Sequence, residues 1–230
     1  MQQTHRHDIY AFIHKGLRKA MCDNLQRLGF CDPHDDQEFD EVAGSIQQLL
    51  RVCLGHVEHE NRFVHPAMEA RCPGSSADIA GQHVHHEEQI LALSEELERL
   101  RKLPALRRAD QLHRYYRQFA HWVGDNLVHM EQEEAEHNAT LWAWYTDDEI
   151  RAIEQDLVAH IEPALFPVTQ GYILAGMNPP ERAGFLGMVR EHMPAEEFDG
   201  LLGMLRSLLS PAHYKRLLGD LRVDALASVS

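Results

Sequence analysis

An all-α fold, an up-down-up-down four-helix bundle followed by a C-terminal helical extension, is predicted by three observations. Four stretches carry apolar residues at alternating steps of three and four, the spacing that keeps side chains on one helix face. Proline and glycine fall between these stretches, at Pro33, at Pro73 with Gly74 and at Pro104, and leave only short connections. Runs alternating with a period of two, the mark of strands, are essentially absent.

The first helix is expected over about residues 5–28, ending at Gly29, with Tyr10, His14, Leu17 and Met21 on one face. The acidic stretch from Cys31 to Gln37 reads as a loop. A second helix is expected from near Glu38 to about Arg71, its stripe made of Ile46, Leu49, Cys53, His56, Glu60, Phe63 and Ala67. Pro66 should kink it or end its regular part, because proline has no N–H for the backbone ladder. Ser76 is placed as the N-cap of a third helix reaching Lys102, with Ile79, His83, His86, Ile90, Leu93, Leu97 and Leu100 in its stripe. The fourth is expected from about Leu106 to Tyr145, with a fresh start near Asp110, and carries Leu112, Tyr115, Phe119, Trp122, Asn126, His129 and Glu133.

Thr146 followed three residues later by Glu149 has the form of a capping box, so the bundle is assigned residues 1–146 and the extension 147–230. Asn178-Pro179-Pro180, Met193-Pro194 and Ser210-Pro211 divide the extension into helices, each with proline where a first turn tolerates it. The tail from Val223 is expected to fray. Trp142, Trp144 and Tyr145 are expected to pack the bundle end against the extension, which itself packs on the bundle or on a second subunit, as in a homodimer.

With 230 residues and 44% hydrophobic content the chain can bury a sizeable core. Its 36 acidic and 22 basic residues give a charge of −14, which disfavours nucleic acid and anionic membrane surfaces as partners. No apolar run approaches the roughly 20 residues of a membrane span, and MQQTHRHDIY lacks the apolar core of a signal peptide; the expected compartment is the cytoplasm. Cys22, Cys31, Cys53 and Cys72 show no C-x-x-C spacing and are expected to be reduced thiols.

Each apolar stripe is interrupted by polar residues, and the depth of the interruption alternates. His14 is early in its helix, His56 and Glu60 late, His83 and His86 early, His129 and Glu133 late. In a bundle whose successive helices reverse direction these positions share one level, so seven potential ligands meet there. Burying them unpaired costs several kcal/mol per ion, of the order of the whole stability of a domain. Metal ions compensate directly. Imidazole nitrogen with carboxylate oxygen suits iron, manganese or zinc; seven ligands suit two ions, with Glu60 and Glu133 as bridges. Spacing alone carries little weight: histidine followed four residues later by glutamate also occurs at His34/Glu38 and His192/Glu196, away from any seam. His59 and His65 lie beside the seam, where surface or supporting roles are expected.

On the segments IHKGLR around His14, HVEHENRFVHPAME from His56 to Glu69, HVHHEE from His83 and HMEQEE from His129, the chain resembles the hemerythrin family in its broad histidine-histidine-glutamate cation-binding form. The resemblance covers about residues 5–146. It implies two non-haem iron ions, bridged by carboxylates with room for an oxo bridge, that bind or sense dioxygen or a related small ligand such as nitric oxide or peroxide. His14 and His56 would serve one iron, the third-helix histidines and His129 the other. An enzyme reducing peroxide or nitric oxide or supporting iron-sulfur repair, and a metal-free or zinc-holding regulatory module, are the alternatives. The oxygen-carrying members have a histidine four before the position of His86, where this chain has Gln82; either His83 substitutes or one iron keeps an open position. Their fourth-helix carboxylate matches Glu134, whereas the seam favours Glu133.

Overall fold

The computed structural model describes residues 6–222, and every regular element among them is helical. Four long segments, α1 (Ala11–Phe30), α2 (Asp36–His59), α4 (Ala77–Arg101) and α5 (Ala105–Gln132), form a closed ring in which α1 and α4 each touch both α2 and α5. Two of them continue. A π-helical turn, Glu60–Val64, joins α2 to α3 (His65–Arg71), and a second, Glu133–His137, joins α5 to α6 (Asn138–Trp144).

Local chemistry accounts for the ends. Asp35 accepts the Glu38 amide at 2.9 Å and starts α2 at Asp36, slightly before the predicted position. α5 runs unbroken through Asp110 because its first turn is pinned: Arg108, buried, donates to the Pro33 carbonyl at 3.0 Å, pairs with Asp36 and lies over the Phe39 ring. Ser76 stands at the N-cap of α4, but its hydroxyl does not cap. It donates to Glu69, whose carboxylate also takes the Gly74 and Ser76 amides; these bonds bring the Glu69 carboxyl down to about 2. Pro66 does not end its helix, which continues to Arg71 after the π-helical turn immediately before it. The tail from Val223 lies outside the described residues.

Apolar side chains fill the bundle on one side of the polar level, with Phe39, Ile46, Leu49, Leu97, Tyr115, Phe119 and Trp122 almost wholly buried. A smaller layer of Ile9, Tyr10, Val64, Met68, Leu141 and Ile150 closes the other side. The polar residues therefore sit between two apolar layers, where water is excluded and interactions between charges are strong.

The extension begins as predicted. Thr146 and Glu149 exchange both bonds of a capping box and open α7 (Asp147–Ala159). Trp142 and Tyr145 join the apolar layer that Ile150 and Leu157 complete, whereas Trp144 is half exposed. α8 (Phe166–Gly176) packs on α1, so the bundle itself receives the extension. α9 (Pro179–His192), α10 (Ala195–Leu208) and α11 (Pro211–Asp220) add a separate apolar cluster around Leu186, Phe198 and Leu205. Buried Arg182 donates to the Leu174 and Met177 carbonyls and so satisfies the C-terminal end of α8.

α1 and α8 touch through glycine. A Cβ on Gly16 would stand 2.7 Å from the Tyr172 backbone, and one on Gly176 would stand 2.6 Å from the Gly16 nitrogen. Neither neighbour is a side chain that can swing aside. Gly16→Val is expected to loosen the extension and lower stability by about 1–3 kcal/mol. Gly81→Ala, at a helical position with open space around it, should stabilise by about 0.5–1 kcal/mol. Urea unfolding of the two variants checks the contrast.

Candidate metal centre

Two pairs of imidazoles face each other across two carboxylates. The Nε2 atoms of His14 and His56 are 3.2 Å apart, and those of His83 and His129 are likewise 3.2 Å apart. Glu133 directs Oε1 to His83 and His129, 3.2 Å from each, and Oε2 to His14 at 3.5 Å. Glu60 directs Oε1 to His56 at 3.2 Å and to His14 at 3.9 Å, and Oε2 to His83 at 3.6 Å. Each carboxylate thus spans both pairs. Donor atoms from His14, His56, Glu60 and Glu133 form one compact group, and those from His83, His129 and Glu133 another.

The helices that carry the carboxylates change winding at those residues, since Glu60 and Glu133 each open a π-helical turn. Such a turn holds an additional residue, so the face presented inward shifts beyond it. Val64 and Met68 are buried after Glu60 in place of the predicted Phe63 and Ala67, which are only partly buried. The same shift brings His65 inward.

Outer partners fix which ring nitrogen carries the proton. Glu134 can only accept, so the 2.9 Å contact with His14 Nδ1 makes that nitrogen an N–H donor; Arg18 holds Glu134 at 2.5 Å. The Asn61 amide gives its N–H to Glu87 at 3.3 Å, and its oxygen accepts from His83 Nδ1 at 2.7 Å. Glu136 likewise accepts from Gln132, which accepts from Gln82, whose oxygen takes the His129 Nδ1 proton at 2.8 Å. All three relays end on carboxylates. His14, His83 and His129 therefore carry a proton on Nδ1 and turn Nε2 toward one another and toward Glu60 and Glu133, the arrangement that second-sphere partners impose on metal ligands.

A cluster of this kind is poorly satisfied without cations. Both Glu60 oxygens and Glu133 Oε2 are buried without a hydrogen-bond partner. Burial first, and the Glu133 charge second, hold the Glu60 carboxyl well above its ordinary value. Burial, then the neighbouring His14, keeps the His56 imidazole well below its own and so neutral. The 3.2 Å between the inward nitrogens of His14 and His56 suits two nitrogens on one ion with bonds of about 2.1 Å. Convergent imidazole nitrogens, ionisable carboxylates and orphaned acceptors fit divalent metal.

Six of the seven predicted ligands meet here. His86 does not: it lies one turn along α4 from His83, with Nδ1 3.1 Å from Asn126 and its ring against His129, outside both donor groups. His83 turns Nε2 toward His129 and Glu133, while Gln82 orients His129. Glu133 is the carboxylate in the centre and Glu134 supports His14 from outside. His7 bonds Glu154 at 2.7 Å, and His85 is exposed.

Tyr10, His65 and His137, none of them among the predicted ligands, surround the site. The Tyr10 hydroxyl bonds His137 Nδ1 at 2.9 Å. His65 stacks on His83, with ring centroids 4.9 Å apart, and meets His137 edge to face. Burial lowers both His65 and His137 to about 4. Extending the step of four from His129 and Glu133 reaches His137 directly; His65 depends on the π-helical turn. No family model, curated protein or solved structure matches the chain.

Proposed function

We propose that the chain is a non-haem di-iron protein of the hemerythrin-like kind, an up-down-up-down bundle that binds or senses dioxygen or a related small ligand. The observation that supports it most is the pair of carboxylates, each with one oxygen toward each imidazole pair. His14 and His56 would hold one iron, His83 and His129 the other, with Glu60 and Glu133 across both. Bound iron supplies reversible electron donation to a small ligand. The chain's own residues do the rest. Glu134, Asn61 and Gln82 keep the imidazoles aimed, and the two apolar layers keep water away.

The ligand set is rich in neutral imidazole, which favours lower iron charge than a carboxylate-dominated set and so supports binding or sensing over strong oxidation. A second reading, reduction of peroxide or nitric oxide, is favoured by an open cavity against His56 and Glu60. Turnover of peroxide by iron-loaded protein separates the two. The founding test is metal analysis of protein prepared without a histidine tag, with its visible spectrum in air. About two irons per chain and the bands of a ferric pair are expected. No iron on purification, together with a melting temperature unmoved by added iron, would sink the proposal.

No helix among the described residues is long and apolar enough to cross a membrane. A cytoplasmic location is part of the same proposal.

A further inference from the structure

The extension does more than cover α1. A cavity of about 300 Å³ lies where α1 and α2 meet α7 and α8. Ile13 and Val52 wall it from the bundle; Leu157, Ile161, Leu165 and Ile173 wall it from the extension; His56 and Glu60 form its inner end. Phe12 and Val158, about two-fifths exposed, also line it and leave apolar surface open to solvent.

Its polar groups are mostly engaged. Asp8 accepts the Tyr10 and Ala11 amides at 3.0 Å each, and Glu154 is held by His7. Glu60, in contrast, has no partner for either oxygen. The space is roughly twice the ~150 Å³ of a dry apolar cavity that takes up benzene, far more than a diatomic ligand fills. Pockets for organic ligands combine such walls with a few convergent polar groups. No lysine or arginine lines it, while Asp8, Glu60 and Glu154 do, which disfavours an anion.

We propose that this cavity binds a neutral, largely hydrocarbon molecule with one hydrogen-bonding head group, the head lying against the His56/Glu60 edge. Occupancy needs no metal; only the apposition of head group and metal rests on the di-iron reading. The two parts separate in one experiment, calorimetric titration of the full chain with 1-octanol and with octanoate, first metal-free and then iron-loaded. Gly55→Leu narrows the cavity from α2, where a new Cβ would have Leu165 at 3.8 Å and room beyond, and removes a glycine from a helix interior. Val158→Trp obstructs the mouth from an exposed position. Saturable 1-octanol binding to metal-free protein is expected, with octanoate and each folded variant at least about tenfold weaker. Absence of saturable 1-octanol binding, equal binding of octanoate, or indifference to both variants would overturn the proposal. In iron-loaded protein, 1-octanol should shift the visible bands. Binding without that shift would overturn the apposition alone, and failure to load iron would count against the di-iron reading while leaving the cavity result intact.

Discussion

Glu133→Leu should abolish uptake of both metal ions, whereas His56→Ala should lose one and keep about one per chain. The difference follows from geometry. Glu133 reaches both imidazole pairs, at 3.2 and 3.5 Å, while His56 belongs to one. Removing a group that merely positions a ligand already weakens metal binding about 10–100-fold, so loss of a bridging carboxylate should exceed that. The stability of metal-free protein should fall as well. Burial alone would raise the Glu133 carboxyl, yet His129 and His83, 3.2 Å from Oε1, hold it well below its ordinary value; leucine there strips those buried imidazoles of their partner and should destabilise by about 3–5 kcal/mol. Elemental analysis with melting curves in chelator reads both effects. Retention of full metal by Glu133→Leu would remove that residue from the centre.

The second large effect is on pH. Burial, first among the causes, lowers His65, His86 and His137 from 6.5 to about 4. Below pH 6.5 the unfolded chain takes up protons that the folded chain refuses. The stability tied to their neutral forms is therefore complete above about pH 6.5 and is lost as the pH falls through 4. Glu60, raised by burial, acts in the opposite sense: its contribution is present at low pH and is lost as the pH rises through its folded value. His56, also lowered by burial, adds a fourth such contribution, and four histidines outweigh one carboxyl in this range. Metal-free protein should melt roughly 10–20 °C lower at pH 5 than at pH 7.5. His65→Phe should flatten the curve by about a quarter, since it removes one of four similar contributions. An equal melting temperature at the two pH values would contradict neutral burial of these rings.

Much of this site is legible in the order of residues because an α-helix has one period. The stripes of α1, α4 and α5 are buried as read, from Tyr10 to Met21, from Ile79 to Leu100 and from Leu112 to Glu133. The reading of α2 holds as far as Glu60 and then slips by one residue. Alternating steps of three and four average 3.5 residues and have no place for the π-helical turn, so they selected Phe63 and Ala67 where Val64 and Met68 lie inside, and left His65 beside the seam. His86 stands outside the two donor groups for another reason. Periodicity gives the face of a helix but not the depth at which neighbouring helices offer partners; one turn from His83, Asn126 takes its Nδ1. The cavity had no sequence signal at all, since it arises between α1 and a helix more than a hundred residues away, docked through Gly16 and Gly176.

The three relays that end on Glu134, Glu87 and Glu136 also determine the proton stoichiometry of metal uptake. The outward contacts of His14, His83 and His129 already place a proton on Nδ1, so none of the three has to change tautomer to offer Nε2 to a cation. Burial keeps His56 neutral. The acid that must ionise is Glu60, whose carboxyl burial holds well above its ordinary value, so uptake releases its proton. Each proton released makes the uptake equilibrium rise about tenfold per pH unit, so the centre should hold its metal more firmly as its surroundings turn alkaline and shed it as they acidify.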